Sequence, residues 1–309
     1  MNRKSCPQCG SSKTKKNGTR NDVQLYKCLE CKHQFRSGNL VHSNVIWNDY
    51  QNHKQTIQQL AELNHLSSSS IKRKLSKLEL NWQQPDLSGQ SGYVHLDVTY
   101  WGHNWGVLLA LDDATSKPLY LSFIKNETTQ DYRDAIDQIT KAGYTIKGLV
   151  VDGKKALFKE FDKYPIQMCQ FHVIQIVRRY LTNNPKMKAS IDLILLIRRL
   201  KYFSKEDFET QYTAWKEQYD EFLNKRITHK NGKVCYLHRR VRTVMHSIDF
   251  YLPHLYTFLR PECSGMPSTN NKIEGTFSDL KKLLNNHHGM SKENRKRFII
   301  GFFLKRLNE

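Results

Sequence analysis

Residues 93–102 read YVHLDVTYWG, and the fold follows from them. β-branched and aromatic side chains dominate the stretch, which favours an extended strand. A period of two sets Asp97 on the face opposite Val94, Leu96 and Val98. Two similar runs follow, at 105–111 and 119–124, separated by turn residues, so the three predict an antiparallel meander. The period then changes. Thr128 or Thr129 is placed to cap a helix over 130–141, with Tyr132, Ala135, Ile136 and Ile139 on one face and Gly143 at its end. A buried-type strand at 146–151, a short helix at 154–161 and a last strand at 166–169 complete the order βββαβαβ.

Working outward toward the C-terminus, residues 173–260 show no convincing strand and many helical runs, at 173–181, 191–201, 205–225 and 235–247. They predict an all-α insertion. A final helix at 271–284 puts Ile273, Phe277, Leu280 and Leu284 on one face. Toward the N-terminus, residues 55–78 (QTIQQLAELNHLSSSSIKRKLSKL) carry helical spacing broken once at Leu63-Asn64-His65. The following serines can cap a second helix, whose exposed face would show Ser68, Ser69, Lys72, Arg73 and Lys74. This is a helix-turn-helix pattern whose second helix would read the major groove. A plain amphipathic helix pair remains the alternative.

The chain opens with C-x2-C-x18-C-x2-C, at Cys6, Cys9, Cys28 and Cys31, a spacing that presents four thiolates to one Zn²⁺. A zinc ribbon is expected, as a metal staple for a module too small to hold much core, with or without direct DNA contact. Disulfides are not expected, since Met1 to Ser5 is polar and no signal peptide precedes Cys6. The organisation expected is a zinc ribbon at 1–40, a DNA-binding helix-turn-helix at 41–84, a linker at 85–92, a catalytic core at 93–172, the helical insertion at 173–265, and a catalytic helix with tail at 266–309.

Formal net charge is +20. Residues 1–85 carry 14 basic and 5 acidic side chains, residues 86–150 carry 5 and 8, and residues 151–309 carry 30 and 16. An acidic segment between basic flanks suits a polyanion held by the flanks while central carboxylates hold metal ions. No stretch is apolar for the roughly 20 residues a bilayer requires, so no membrane partner is expected and the protein reads as soluble, in a reducing compartment.

Asp152 follows Leu149-Val150-Val151 and precedes Gly153, at the carboxyl end of a buried strand. If that strand pairs in parallel with the strand of Asp97 through a right-handed crossover, both carboxylates emerge at one edge. Two carboxylates that close call for a cation, and Mg²⁺ takes carboxylate, phosphate and water oxygens. Glu274, one residue off the apolar stripe of its helix, is the third candidate for a two-metal site, with Lys281 and Lys282 available for phosphates. Asp112 and Asp113 compete for one position. Singly, each carboxylate is weak: an Asp at a strand end is ordinarily a turn residue, and a helical Glu is ordinarily solvated.

HLDVTYWG, VVDGKKAL, YPIQMCQFHVIQIVRRYL and STNNKIEGTFSDLKKLL, in this order, resemble the catalytic blocks of bacterial insertion-sequence transposases of the Mutator-like superfamily. The resemblance spans about residues 93–290. It implies a DDE enzyme on a ribonuclease-H-like α/β fold, with Asp97, Asp152 and Glu274 as catalytic residues using two Mg²⁺ or Mn²⁺ ions. It also places the C-x2-H signature of the family on Cys169 and His172, read here as structural support near the active site, with a metal pair as the competing reading. The implied partners are double-stranded DNA, at transposon ends and target, and further copies of the chain, in a homodimer or higher oligomer on DNA. The implied location is the bacterial cytoplasm, on the nucleoid. Two other functions fit the same residues, a ribonuclease-H-like nuclease without strand transfer and a transposase-derived regulator that binds DNA without cutting it.

Overall fold

The computed structural model describes residues 4–20, 23–36, 43–102 and 105–308. They fold as two compact units, one built from residues 1–81 and 282–302, the other from 82–281 and 303–309.

In the first unit, β1 (Thr14–Arg20), β2 (Val23–Cys28) and β3 (Gln34–Arg36) form an antiparallel sheet in sequence order. Among the described residues its apolar cluster is Cys6, Cys28 and Phe35 with Tyr26 against them, little to hold three strands without help. Three short helices follow, α1 (Ser43–Gln51), α2 (Ile57–Leu63) and α3 (Ser68–Ser76). Thr56 and Gln59 close a reciprocal capping box on α2, and the Ser67 hydroxyl accepts from the Ser70 amide to start α3. His65 turns the chain between them at φ 49°. Ile71 and Leu75 bury the inner face of α3. Its last turn is met by Arg297, whose guanidinium donates to the carbonyls of Leu75 and Leu78.

The second unit is built on a five-stranded sheet. Its strands are β4 (Ser91–Tyr100), β5 (Gly106–Asp112), β6 (Pro118–Ile124), β7 (Thr145–Val151) and β8 (Ile166–Met168), in the order β6-β5-β4-β7-β8. The first three are antiparallel, whereas β4, β7 and β8 run parallel. This mixed sheet has the βββαβαβ order expected and is consistent with a ribonuclease-H-like core. All seven residues of β5 are buried, as a central strand covered on both faces requires. The crossover helix α4 (Thr129–Lys141) starts from a capping box between Thr128 and Asp131 and buries Tyr132, Ala135, Ile136 and Ile139. Gly143 ends it at φ +94°, where a Cβ would lie 2.9 Å from Ser88 Cα. Within residues 85–92, read as a linker, Leu87 is buried in the main core and its amide donates to the Ala142 carbonyl. The helix α5 (Lys155–Glu160) joins β7 to β8.

The region after β8 contains α6 (Gln170–Leu181), α7 (Lys188–Arg198), α8 (Lys205–Gln218), α9 (Asp220–Asn224) and α10 (Arg239–Tyr251). Stacked rings of Phe208, Tyr212 and Trp215 run along α8 into the main core. The expected all-α character fails in one place. β9 (Arg226–Thr228) and β10 (Val234–Tyr236) form an antiparallel hairpin, and 205–225 is two helices rather than one. The cause is local: Asn231-Gly232, with Gly232 at φ +77°, is a strong hairpin turn signal. The last helices are α11 (Asn271–Leu284) and α12 (Lys292–Asn308). No helix among the described residues is long and apolar enough to cross a membrane.

Candidate active site

The register of the central strands sets the first two carboxylates. His95 of β4 pairs with Val150 of β7, so Asp97 and Asp152 each lie two residues beyond a matched pair on adjacent parallel strands. The Val98 amide donates to Asp97 Oδ1 at 2.7 Å. Burial, then the charges of Asp152, Glu274 and Glu127, push the Asp97 carboxyl up to about 8. Burial also raises Asp152, with Glu127 adding to the rise, while His172 and Lys154 pull it back. Asp97 thus feels both other sequence-predicted carboxylates, one from a strand end and one from a helix 122 positions after Asp152.

The loop that carries Asp152 is held from the helical region. A Cβ on Gly153 would lie 3.0 Å from Ile176 Cδ1 and 3.1 Å from the Tyr251 hydroxyl, so side chains of α6 and α10 both crowd a residue that has none. That hydroxyl donates to the Gly153 carbonyl. Glu274 stands in the first turn of α11, its amide bonded to the Asn270 carbonyl. Asn270 is fully buried and ties three segments together. Its Oδ1 meets His95 Nδ1 at 2.6 Å, its Nδ2 donates to the Leu96 carbonyl at 3.3 Å, and its amide donates to Cys169 Sγ at 3.2 Å. The residue that begins the Glu274 helix is therefore bonded to the strand that bears Asp97.

Cys169 is buried, and burial raises its thiol to about 11. His172, in the first turn of α6, has Nδ1 3.5 Å from Glu274 Oε1. Asp112 and Asp113, the competing carboxylates, have other partners. Asp112 accepts from the Tyr144 hydroxyl and from Thr115, while Asp113 accepts from His95 Nε2 at 2.9 Å and pairs with Lys272 at 3.0 Å. Sequence reasoning missed Glu127, held by the Tyr132 hydroxyl at 2.9 Å and by Lys154 at 3.0 Å. It also missed Asn270, although that residue sits in the quoted STNNKIEG block.

In the first unit, Cys6 and Cys31 Sγ are 3.6 Å apart, as are Cys9 and Cys28, and all four lie within 4.8 Å of one another. Sulfurs each about 2.3 Å from a tetrahedral ion would be about 3.8 Å apart, so the four fit Zn²⁺. Ser68, Ser69, Lys72 and Arg73 are exposed on α3, and Lys74 is half-buried. A cavity of about 750 Å³ opens beside α3, with Lys72, Arg73, His288 and Arg297 in its lining. Lys281 and Lys282 are exposed on α11. His287, in the loop after α11, is buried, its ring 4.1 Å from Tyr50 and 5.2 Å from Phe298. Trp105 is also buried, its ring 5.2 Å from that of Trp101.

No protein-family model matches the chain, and no curated protein matches it in sequence. Among solved structures it is similar to the Drosophila P element transposase in its strand transfer complex, with 11% identity over 86% of this chain and 79% of that one, at a TM-score of 0.33. It is also similar to the simian T-cell lymphotropic virus intasome, solved with a PP2A regulatory subunit, with 11% identity over 50% of this chain and 63% of that one, at a TM-score of 0.22. Likenesses this distant say nothing of what the chain does.

Proposed function

We propose that this chain is a DDE transposase of the Mutator-like, insertion-sequence kind. In this reading it binds the inverted repeats at transposon ends through the cysteine module and α3, then cleaves and joins DNA at Asp97, Asp152 and Glu274. What supports the reading is that the charges of Asp152, after the end of β7, and of Glu274, on α11, both reach the buried carboxyl of Asp97 on β4 and hold it up. Mutually repelling, oxygen-only donors fit a hard divalent cation. Mg²⁺ or Mn²⁺, two ions when bound, would activate the attacking oxygen and stabilise the leaving one in phosphoryl transfer. The protein supplies the arrangement. Asn270 holds the Glu274 helix on β4, Tyr251 and Gly153 fix the Asp152 loop, and Glu127 adds negative charge beside both aspartates. Lys281 and Lys282 are positioned by this reading for phosphates, and Ser68, Ser69, Lys72, Arg73 and Lys74 for the end sequence. A second copy of the chain would hold the second end.

The test is incubation with DNA flanking the encoding gene and Mg²⁺, followed by mapping of nicks. Cuts at the element boundaries are expected, and D97A, D152A and E274A should each lower cleavage by about a hundredfold or more while end binding survives. Retained cleavage would remove that residue from the set. Labelled pre-cleaved ends joined to a plasmid would separate a transposase from a nuclease without strand transfer.

A further inference from the structure

Three ligand types converge beside the carboxylates. The Sγ of Cys169, a ring nitrogen of His172 and a carboxylate oxygen of Glu274 all lie within 4.8 Å of one another. His172 Nδ1 and Glu274 Oε1 are shielded from solvent, yet neither has a hydrogen-bond partner. They face each other at 3.5 Å, too far for a good hydrogen bond. Two donors each about 2.0 to 2.1 Å from a tetrahedral ion would be about 3.4 Å apart, so this spacing suits one shared cation. The Asn270 amide already donates to the sulfur, the support a metal-bound thiolate receives from its surroundings. Sulfur and imidazole beside one carboxylate select a borderline cation such as Zn²⁺ over Mg²⁺.

We infer that Cys169, His172 and Glu274 form a second zinc site, distinct from the four-cysteine cluster, with the fourth position open to water. On binding, the Cys169 thiol releases its proton to solvent and its sulfur becomes a ligand. Glu274 then belongs to this site and not to the carboxylate set, so Zn²⁺ opposes Mg²⁺-dependent chemistry. Only that antagonism rests on the transposase reading; the site itself does not.

The experiment counts zinc. Full-length protein and the C169S and H172A variants are equilibrated with micromolar free Zn²⁺, passed through a desalting column and measured by atomic emission. Each variant should hold one zinc fewer per chain than the wild type, and C28S should lose a different one, additively with C169S. Equal zinc content in wild type and H172A would overturn the site. H172A decides if C169S fails to fold, because the His172 side chain is partly exposed and its removal leaves the buried sulfur packing intact. Zinc content needs no DNA substrate, so its failure is separate from a failure of the function proposed above. Where cleavage is observed, the zinc concentration that halves it should rise about tenfold in C169S, and an unchanged value would overturn the antagonism.

Discussion

Asp97 carries its environment in its titration. Its carboxyl, ordinarily ionised above about pH 4, is held to about 8 by burial and by the neighbouring carboxylates. The raised value means that the unfolded chain loses this proton first. Stability of the Mg²⁺-free protein should therefore fall as pH rises from about 4 to 8 and level off beyond, each unit of elevation being worth about 1.4 kcal/mol. D97N removes the effect. Without Mg²⁺ the variant should melt higher than wild type at pH 8, by several degrees, and the difference should shrink toward pH 5. Thermal melts at the two values decide it, and a difference larger at pH 5 would contradict the assignment. The places of Asp97 on a strand, Asp152 after a strand end and Glu274 in the first turn of a helix followed from the sequence, because each stands at a marked position in a periodic pattern. The roles of Glu127 and Asn270 did not. Glu127 matters only through Tyr132 and Lys154, and Asn270 only through bonds to residues about 100 and 175 positions away.

At the scale of elements, strands and helices of the sheet domain fell where period and capping residues put them, because hydrophobic spacing and local hydrogen bonds act over a few residues. The Thr128 cap illustrates how local that information is. T128A deletes the hydroxyl half of the capping box of α4, leaving the backbone amide of residue 128 bonded to Asp131, and should cost about 1 kcal/mol, read from chemical denaturation. The hairpin of β9 and β10 escaped notice because its strands are three residues each, too short for a period, although Asn231-Gly232 marked the turn. His287 escaped for a different reason. Its burial depends on Tyr50 and Phe298, which no local pattern links to it. The described residues of the cysteine module have so few apolar contacts that a metal bound by the four sulfurs would do most of the holding. Chelating zinc should therefore abolish binding to end DNA while the melting of the sheet domain persists, as followed by fluorescence anisotropy and by circular dichroism. Unchanged end affinity after zinc loss would disconnect the module from recognition.

For the whole molecule, charge is the organising quantity. Residues 1–85 and 151–309 are strongly basic, whereas the stretch that contributes most of the sheet is slightly acidic. DNA affinity should accordingly fall steeply with salt, log K declining by about 0.9 per phosphate neutralised against log salt. K72A and R73A should each lower that slope by about one. An unchanged slope would move the contact away from α3. The amide of Asn270 has a consequence in time. Asp97 and Asp152 leave the ribosome well before residue 270, and the sheet that aligns them is complete by residue 168. Glu274 is docked only when Asn270 reaches His95 and Leu96. On the transposase reading, a nascent chain with its cysteine module already made would grip DNA, throughout synthesis of the intervening hundred or so residues, without the means to cut it.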